Sequence, residues 1–122
     1  MPQLMIHGLI SELPTERLFD GGVVRSGIRT DGALVTLNYM YPSVPEIPEH
    51  DHPFDQLALC MGGRMEVTVA GEVYAVESGG FCYIPKSVPH SGRWLEGDPL
   101  LSIDIFAPPR EDWLHLAAHQ PD

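Results

Sequence analysis

The sequence predicts a single all-β domain, a sandwich or barrel, and three observations support this. The chain has 122 residues, close to the commonest size of one domain. Its apolar residues fall into short runs that glycine and proline separate. Helical periodicity is confined to the C-terminal end. We therefore expect one domain over residues 1–122 with its core at about 34–107.

The predicted strands are apolar runs of strand length, each bounded by turn residues. In chain order they are Gly22–Ile28, Leu34–Tyr41, Gln56–Met61, Arg64–Val69, Val73–Val76, Phe81–Ile84, Ser91–Leu95 and Leu100–Phe106. Arg64–Val69 shows the clearest pattern, because Met65, Val67 and Val69 alternate with polar residues. A period of two predicts a strand with one buried and one solvated face.

Two glycine-containing segments flank Arg64–Val69. Gly62-Gly63 precedes this strand and Ala70-Gly71-Glu72 follows it. Glycine adopts positive φ at little steric cost, as tight hairpin turns require. We therefore predict a hairpin turn at each end of the strand.

Two further segments are predicted not to form core strands. Pro42–Pro53 contains four prolines and is expected to be irregular or extended. Glu111–His119 follows Pro108-Pro109 and has acidic residues in its first turn, as a helix N-terminus favours. This segment is predicted to form a short C-terminal helix.

Composition limits the partners and the compartment. The formal charge of −10 repels phosphate backbones and anionic lipids, so we expect no nucleic-acid or membrane partner. No apolar run approaches the roughly 20 residues that span a bilayer, and Met1–Ile10 lacks the basic stretch and cleavage site of a secretory signal. Cys60 and Cys82 form no CxxC motif, which suits reduced thiols. We expect a cytoplasmic protein.

Histidines are spaced as metal ligands would be. His50 and His52 are two residues apart, so on an extended strand both imidazoles point to the same face. Gln56 lies four residues further on, and His90 arrives from a distant segment. The alternative is that these are ordinary polar residues near a turn, but three histidines with this spacing favour a divalent metal site. Nickel, iron, manganese, zinc and cobalt are all compatible with it.

A carboxylate follows in an otherwise apolar strand. In Leu100–Phe106, Asp104 and Phe106 share one face. Burying a carboxylate is costly unless it is paired, so Asp104 faces either water, an arginine or a functional site. Arg110 comes after two prolines that restrict the backbone presenting it. It could capture a substrate carboxylate, or pair locally with a neighbouring acidic residue.

Two motifs carry a resemblance to a known family. The first comprises His50, His52, Gln56 and Gly63, and the second comprises Gly79, Pro85, Ser87 and His90. With this spacing they resemble the two cupin motifs. The resemblance implies a small double-stranded β-helix, a jelly-roll-like barrel that holds a metal ion inside it.

The sequence also departs from the common cupin pattern. Gln56 stands where most cupins have glutamate, Ser87 where glycine is usual, and Trp94 where asparagine is common. Replacing glutamate by glutamine removes one negative charge, so a bound ion would keep its full positive charge. Such an ion is a stronger Lewis acid toward an anionic substrate.

The segment from Asp104 to Trp113 resembles the KdgF-type small cupins, which linearise 4,5-unsaturated monouronates left by pectin and alginate lyases. The resemblance implies metal binding by His50, His52, Gln56 and His90, and active-site roles for Asp104, Phe106 and Arg110. We therefore expect an isomerase for a small anionic sugar acid. In this hypothesis Asp104 moves protons, Arg110 holds the carboxylate and Phe106 forms a wall.

Two other functions stay open at this stage. Three histidine ligands also suit Fe(II)-dependent dioxygen chemistry, and a barrel of this kind can bind a ligand without catalysis. Asp104 favours catalysis, because mere binding needs no ionisable group beside the ion. We further expect a homodimer, since apolar residues occur on both strand faces.

Overall fold

The computed structural model describes residues 7–120, over which the chain is mostly β-strand. The strands are β1 Glu16–Leu18, β2 Val23–Arg29, β3 Leu34–Met40, β4 Ile47–His50, β5 Asp55–Val69, β6 Glu72–Glu77, β7 Phe81–Ile84 and β8 His90–Ala107. Short 3-10 helices occur at Ile10–Glu12, Phe19–Gly21 and Glu111–Ala117. The predicted all-β fold class is confirmed.

All strand pairings are antiparallel, and two long strands organise them. The sheet order is β1-β2-β3-β8-β5-β6, with β4 also paired to β8 and β7 also paired to β5. Because β5 and β8 each pair with three neighbours, the sheet curls around an interior. Side chains from most strands line one cavity there, as expected for a closed or nearly closed barrel.

The prediction of a hairpin at Gly62-Gly63 is wrong. β5 runs without interruption through both glycines, and its register against β8 shifts there. Gly63 does have positive φ, at 84°, but it forms a bulge in a strand and not a turn. A strand bulge and a hairpin turn both need a glycine with positive φ, so the sequence pattern does not distinguish them.

Ser91–Leu95 and Leu100–Phe106 are likewise not separate strands, because β8 spans both. By contrast, the hairpin turn after Val69 is confirmed, since Ala70 and Gly71 have φ values of 49° and 83°. Two central residues with positive φ match the twist of the flanking strands.

The C-terminal segment covers one side of β2. It forms a 3-10 helix over Glu111–Ala117, shorter than the predicted Glu111–His119. A Cβ atom at Gly27 in β2 would lie only 2.7 Å from Cβ of Leu116. The missing side chain of Gly27 therefore lets the C-terminal segment pack closely against the strand.

The buried apolar core lies mainly between β5 and its neighbours. It contains Ala58, Cys60, Met65, Val67, Val76, Ile84 and Leu100. Cys60 is fully buried, Cys82 is partly buried, and both are free thiols. Within residues 7–120, no helix has the length and hydrophobicity that crossing a membrane would need.

The bulge glycines provide a matched pair of substitutions. A Cβ atom at Gly63 would overlap the carbonyl oxygen of Glu96, whereas one at Gly62 meets no atom within 4 Å. We expect Gly63→Ala to lower the free energy of unfolding by about 2–4 kcal/mol, from overlap and positive φ together. Gly62→Ala should change it by less than about 1 kcal/mol. Urea unfolding of both variants would measure this, and equal effects would contradict the bulge geometry.

Candidate metal centre

Strand pairing brings the predicted histidine ligands together. His50 ends β4 and His90 begins β8, and their Cα atoms are direct partners in that ladder. His52 lies just beyond β4, where its backbone oxygen accepts a 2.7 Å hydrogen bond from the Ser87 amide. The ring centroid of His90 is 4.3 Å from that of His50 and 4.7 Å from that of His52.

Each imidazole is oriented by a backbone carbonyl. The Nδ1 atoms of His50, His52 and His90 lie 2.8, 2.9 and 2.8 Å from the carbonyl oxygens of Pro48, Phe54 and Val88. A carbonyl only accepts, so each Nδ1 carries the proton and each Nε2 keeps its lone pair. This is the usual arrangement of metal-binding histidines.

The convergence of these nitrogens fits a divalent ion. One ligand atom from each ring lies within 4.8 Å of the other two. Nε2 of His90 is buried and has no hydrogen-bond partner among the described residues, a costly state unless another species binds it. Burial also lowers the pKa of His90, which favours the neutral form that binds metal. The three histidines are therefore positioned to bind a metal.

Gln56 lies beside this cluster. Its Oε1 atom is 3.0 Å from Nε2 of His52, although both atoms carry lone pairs when Nδ1 of His52 donates to Phe54. Two acceptors face each other stably when a cation lies between them. Ligand atoms about 2.1 Å from one ion and at right angles to each other are about 3.0 Å apart. The geometry is compatible with the predicted role of Gln56 as a ligand.

Asp104 connects to the same cluster through amide hydrogen bonds. Its Oδ1 accepts from Nε2 of Gln56 at 3.0 Å, and its Oδ2 accepts from Nδ2 of Asn38 at 3.2 Å. Asn38 in turn accepts from Nε of Arg25 at 2.9 Å. Burial raises the pKa of Asp104, while the Gln56 hydrogen bond and the charges of Arg25 and Arg110 oppose this rise. The sequence left open whether Asp104 faces water, an arginine or a functional site. In the structure it faces the interior cavity.

Arg110 is buried, with 9% of its surface exposed. Its Nε and Nη2 atoms donate to Asp112 at 3.0 and 2.8 Å, so the local pairing that the sequence left open does occur. This hydrogen bond from Arg110 lowers the pKa of Asp112. The guanidinium carbon also lies 3.4 Å from the ring centroid of Trp113, a cation–π contact.

Phe106 packs between the histidine cluster and the C-terminal segment. It is 1% exposed, and its ring meets those of His52 and Trp113 edge to face at centroid distances of 5.8 and 5.3 Å. The ring forms part of an apolar wall of the interior cavity.

The sequence analysis missed two residues of this interior, Arg25 and Asn38. Arg25 lies on the same face of β2 as Val23 and Gly27, so its face could have been tested as an inner one. Gly27 and Ile28 interrupt a regular alternation of polar and apolar residues in β2. Nothing in the sequence pairs Arg25 with Asn38. The strand register supplies that information, because Arg25 is opposite Asn38 and Asn38 is opposite Ser102.

These groups share one cavity of about 480 Å³, a size suited to a small ligand. Its polar lining includes His50, His90, Gln56, Asp104, Arg25 and Arg110, and its other walls are mostly apolar. A histidine cluster, a partly buried carboxylate and three guanidinium groups, those of Arg25, Arg93 and Arg110, thus face a common interior. That arrangement can bind an anion and move a proton beside it.

The fold and the histidine cluster define a known class of protein. The family model described as the cupin domain matches residues 39–106, more than half of the chain. The chain belongs to the cupin family. A search of curated proteins found no significant match.

Solved structures of several cupins resemble this one. KdgF from Halomonas sp. has 24% sequence identity and a TM-score of 0.75, over 85% of this chain and 94% of that one. An RmlC-like cupin from Shewanella frigidimarina has 21% identity and a TM-score of 0.75, over 93% and 99%. Oxalate decarboxylase from Lactobacillus farciminis has 16% identity and a TM-score of 0.70, over 83% of this chain and 32% of that one. At these identities the likeness shows the fold.

Metal binding is expected to stabilise the folded protein. At about 100 times its Kd, a divalent ion should raise the free energy of unfolding by about 2.7 kcal/mol. His52→Ala should remove this gain and leave the barrel folded, because the apolar core does not include the metal ligands. Thermal unfolding with and without nickel or zinc would measure the effect.

A histidine outside the cluster serves as the control. His115 is exposed, and its Nε2 lies 2.8 Å from a carboxylate oxygen of Glu16. His115→Ala should keep the full metal-dependent gain. The assignment of this centre would be contradicted if His52→Ala still gained stability from the metal. It would also be contradicted if His52→Ala were unfolded in the absence of metal.

Proposed function

We propose that this protein is a metal-dependent isomerase that opens 4,5-unsaturated monouronates and converts them to linear keto uronates. The observation that carries the proposal is the position of Asp104. Its carboxylate is hydrogen-bonded to Gln56, which in turn contacts His52. An acid–base group is thereby held beside a metal-binding cluster in a cavity of suitable size.

The histidines and Gln56 are the residues that would hold the ion. When bound there, a divalent ion supplies a Lewis acid for substrate oxygens. All four ligand side chains are neutral, so their charge does not offset that of the ion.

Asp104 is the proton-transfer group of this proposal. Ring opening of an enol ether hemiacetal requires a proton to leave the anomeric hydroxyl, and ketonisation of the resulting enol requires a proton at carbon. A carboxylate with a raised pKa holds a proton closer to neutral pH than an exposed one does. Asn38 and Gln56 fix its position by bonding one oxygen each.

Arg110 and Phe106 complete the wall around the reacting carbon atoms. Asp112 occupies two of the nitrogens of Arg110, so Nη1 is the group of Arg110 left to contact a substrate oxygen. Phe106 and Trp113 shield this side of the cavity from water, which strengthens polar contacts inside it.

The direct test is a proton NMR time course of freshly prepared 4,5-unsaturated galacturonate and guluronate monomers. With metal-loaded protein, we expect the vinylic signal to decay faster than in buffer, and a chelator should abolish the acceleration. An unchanged rate with metal bound would contradict the proposal. Oxygen uptake with Fe(II) and a thiol or catechol would then identify a dioxygenase instead.

Substitution of Asp104 tests its role separately. Asp104→Asn keeps the size of the side chain and removes the ionisable group, so turnover should fall by roughly 100-fold or more. Metal content and Tm are measured on the same sample to show that the site persists. Asp31→Asn is the control and should keep full turnover, because Asp31 lies in an exposed bend and does not line the cavity. Full activity of Asp104→Asn would contradict the proton-transfer role.

A further inference from the structure

We propose that Arg25 binds the substrate carboxylate in the interior cavity, through the two terminal nitrogens of its guanidinium group. The inference deepens the proposed function, on which it rests for the class of substrate, a monouronate. It assigns a specificity role to a residue outside both histidine motifs.

The Arg25 guanidinium is held in a defined position. Its Nε donates to Oδ1 of Asn38 at 2.9 Å, and its central carbon lies 4.0 Å from the ring centroid of Trp113. The side chain lines the same cavity as Asp104 and the histidines. A planar group fixed at one nitrogen and on one face loses little conformational freedom when a ligand binds.

Both terminal nitrogens of Arg25 remain available for an anion. Over residues 7–120, no carboxylate lies within ion-pair distance of Arg25, and neither Nη1 nor Nη2 has a hydrogen bond. The other two arginines of the cavity are already paired. Arg110 bonds Asp112 with two nitrogens, and Arg93 bonds Glu66 at 3.1 Å. Among the described residues, Arg25 is therefore the arginine of the cavity whose two terminal nitrogens are both available for a bidentate contact with a carboxylate.

The charge of Arg25 is incompletely compensated inside the protein. Burial lowers its pKa, and the negative charges of Asp104 and Glu16 oppose this only in part. A partly buried cation of this kind gains more from an anionic ligand than an exposed one does, because water screens the interaction less. An entering carboxylate would supply the missing counter-charge.

Asn38 explains why Arg25 and Asp104 do not form a direct ion pair. The Asn38 carbonyl accepts from Arg25, while its amide donates to Asp104. A neutral side chain thus lies between the two charged groups and bonds both. Each charge stays available to a substrate that reaches across the cavity, with its carboxylate at Arg25 and its ring near Asp104.

A non-reactive ligand tests the assignment independently of turnover. Galacturonate and its uncharged methyl ester are titrated into the metal-loaded protein, and binding is measured by ligand-detected NMR. The wild type should prefer the acid. Arg25→Gln and Arg25→Lys should weaken binding of the acid by about tenfold or more and leave ester binding unchanged. The Tm of each variant shows whether it is folded. If Arg25→Gln is unstable, Arg25→Lys, which keeps the positive charge, serves as the test.

Arg93→Gln is the matched control. Arg93 lines the same cavity but is half exposed and already paired with Glu66, so its loss should not change the preference for the acid. Turnover of the unsaturated uronate gives a second readout, because Arg25→Gln should raise KM by about tenfold and change kcat less.

Two results would overturn the inference. One is a wild type that binds acid and ester equally. The other is an Arg25→Gln variant that keeps the preference while Arg110→Gln or Arg93→Gln loses it. Loss of acid preference in Arg25→Gln, combined with no turnover of any unsaturated uronate, would instead overturn the proposed isomerase and leave Arg25 as the carboxylate-binding residue.

Discussion

The pairing of β8 with three other strands is the constraint on which the site depends. At one end of β8, His90 faces His50 across the ladder with β4. At the other end, Asp104 and Phe106 lie opposite Ala58 and Gln56 of β5. A change of register by one residue would turn these side chains to the opposite face. The hydrogen bonds of a single strand therefore fix the distance between the metal ligands and the carboxylate.

Hydrogen bonds to main-chain carbonyls and to amide side chains then refine this placement. Carbonyl groups orient the three imidazoles, and Asp104 orients Gln56 through its amide nitrogen. The Gln56 oxygen must consequently face His52. An ionised glutamate at this position could not donate to Asp104 and would place a second negative charge beside it, so glutamine suits the pairing with a partly buried carboxylate.

The sequence predicts the parts of the site that lie close together along the chain. The spacing of His50 and His52 and the shared face of Asp104 and Phe106 follow from the period of a strand. Contacts between distant strands do not follow from it, so the sequence gives no signal for Arg25 and Asn38 and does not distinguish the bulge at Gly63 from a turn. Ser87, which stands where the second cupin motif usually has glycine, has a φ of 62°. Glycine reaches that conformation without strain, so the backbone explains the usual glycine, and nothing in the structure explains the serine.

Separation of charge in the cavity is the feature that links structure to the proposed chemistry. Arg25 and Asp104 carry opposite charges, and direct contact would make them a closed ion pair with little affinity for a ligand. Asn38 lies between Arg25 and Asp104, and Gln56 lies between Asp104 and His52. Both amides satisfy the buried polar groups without cancelling their charges. The cavity thereby offers a cation for a carboxylate, a carboxylate for a proton and lone pairs for a metal ion, as a sugar acid that must be held, polarised and protonated would need.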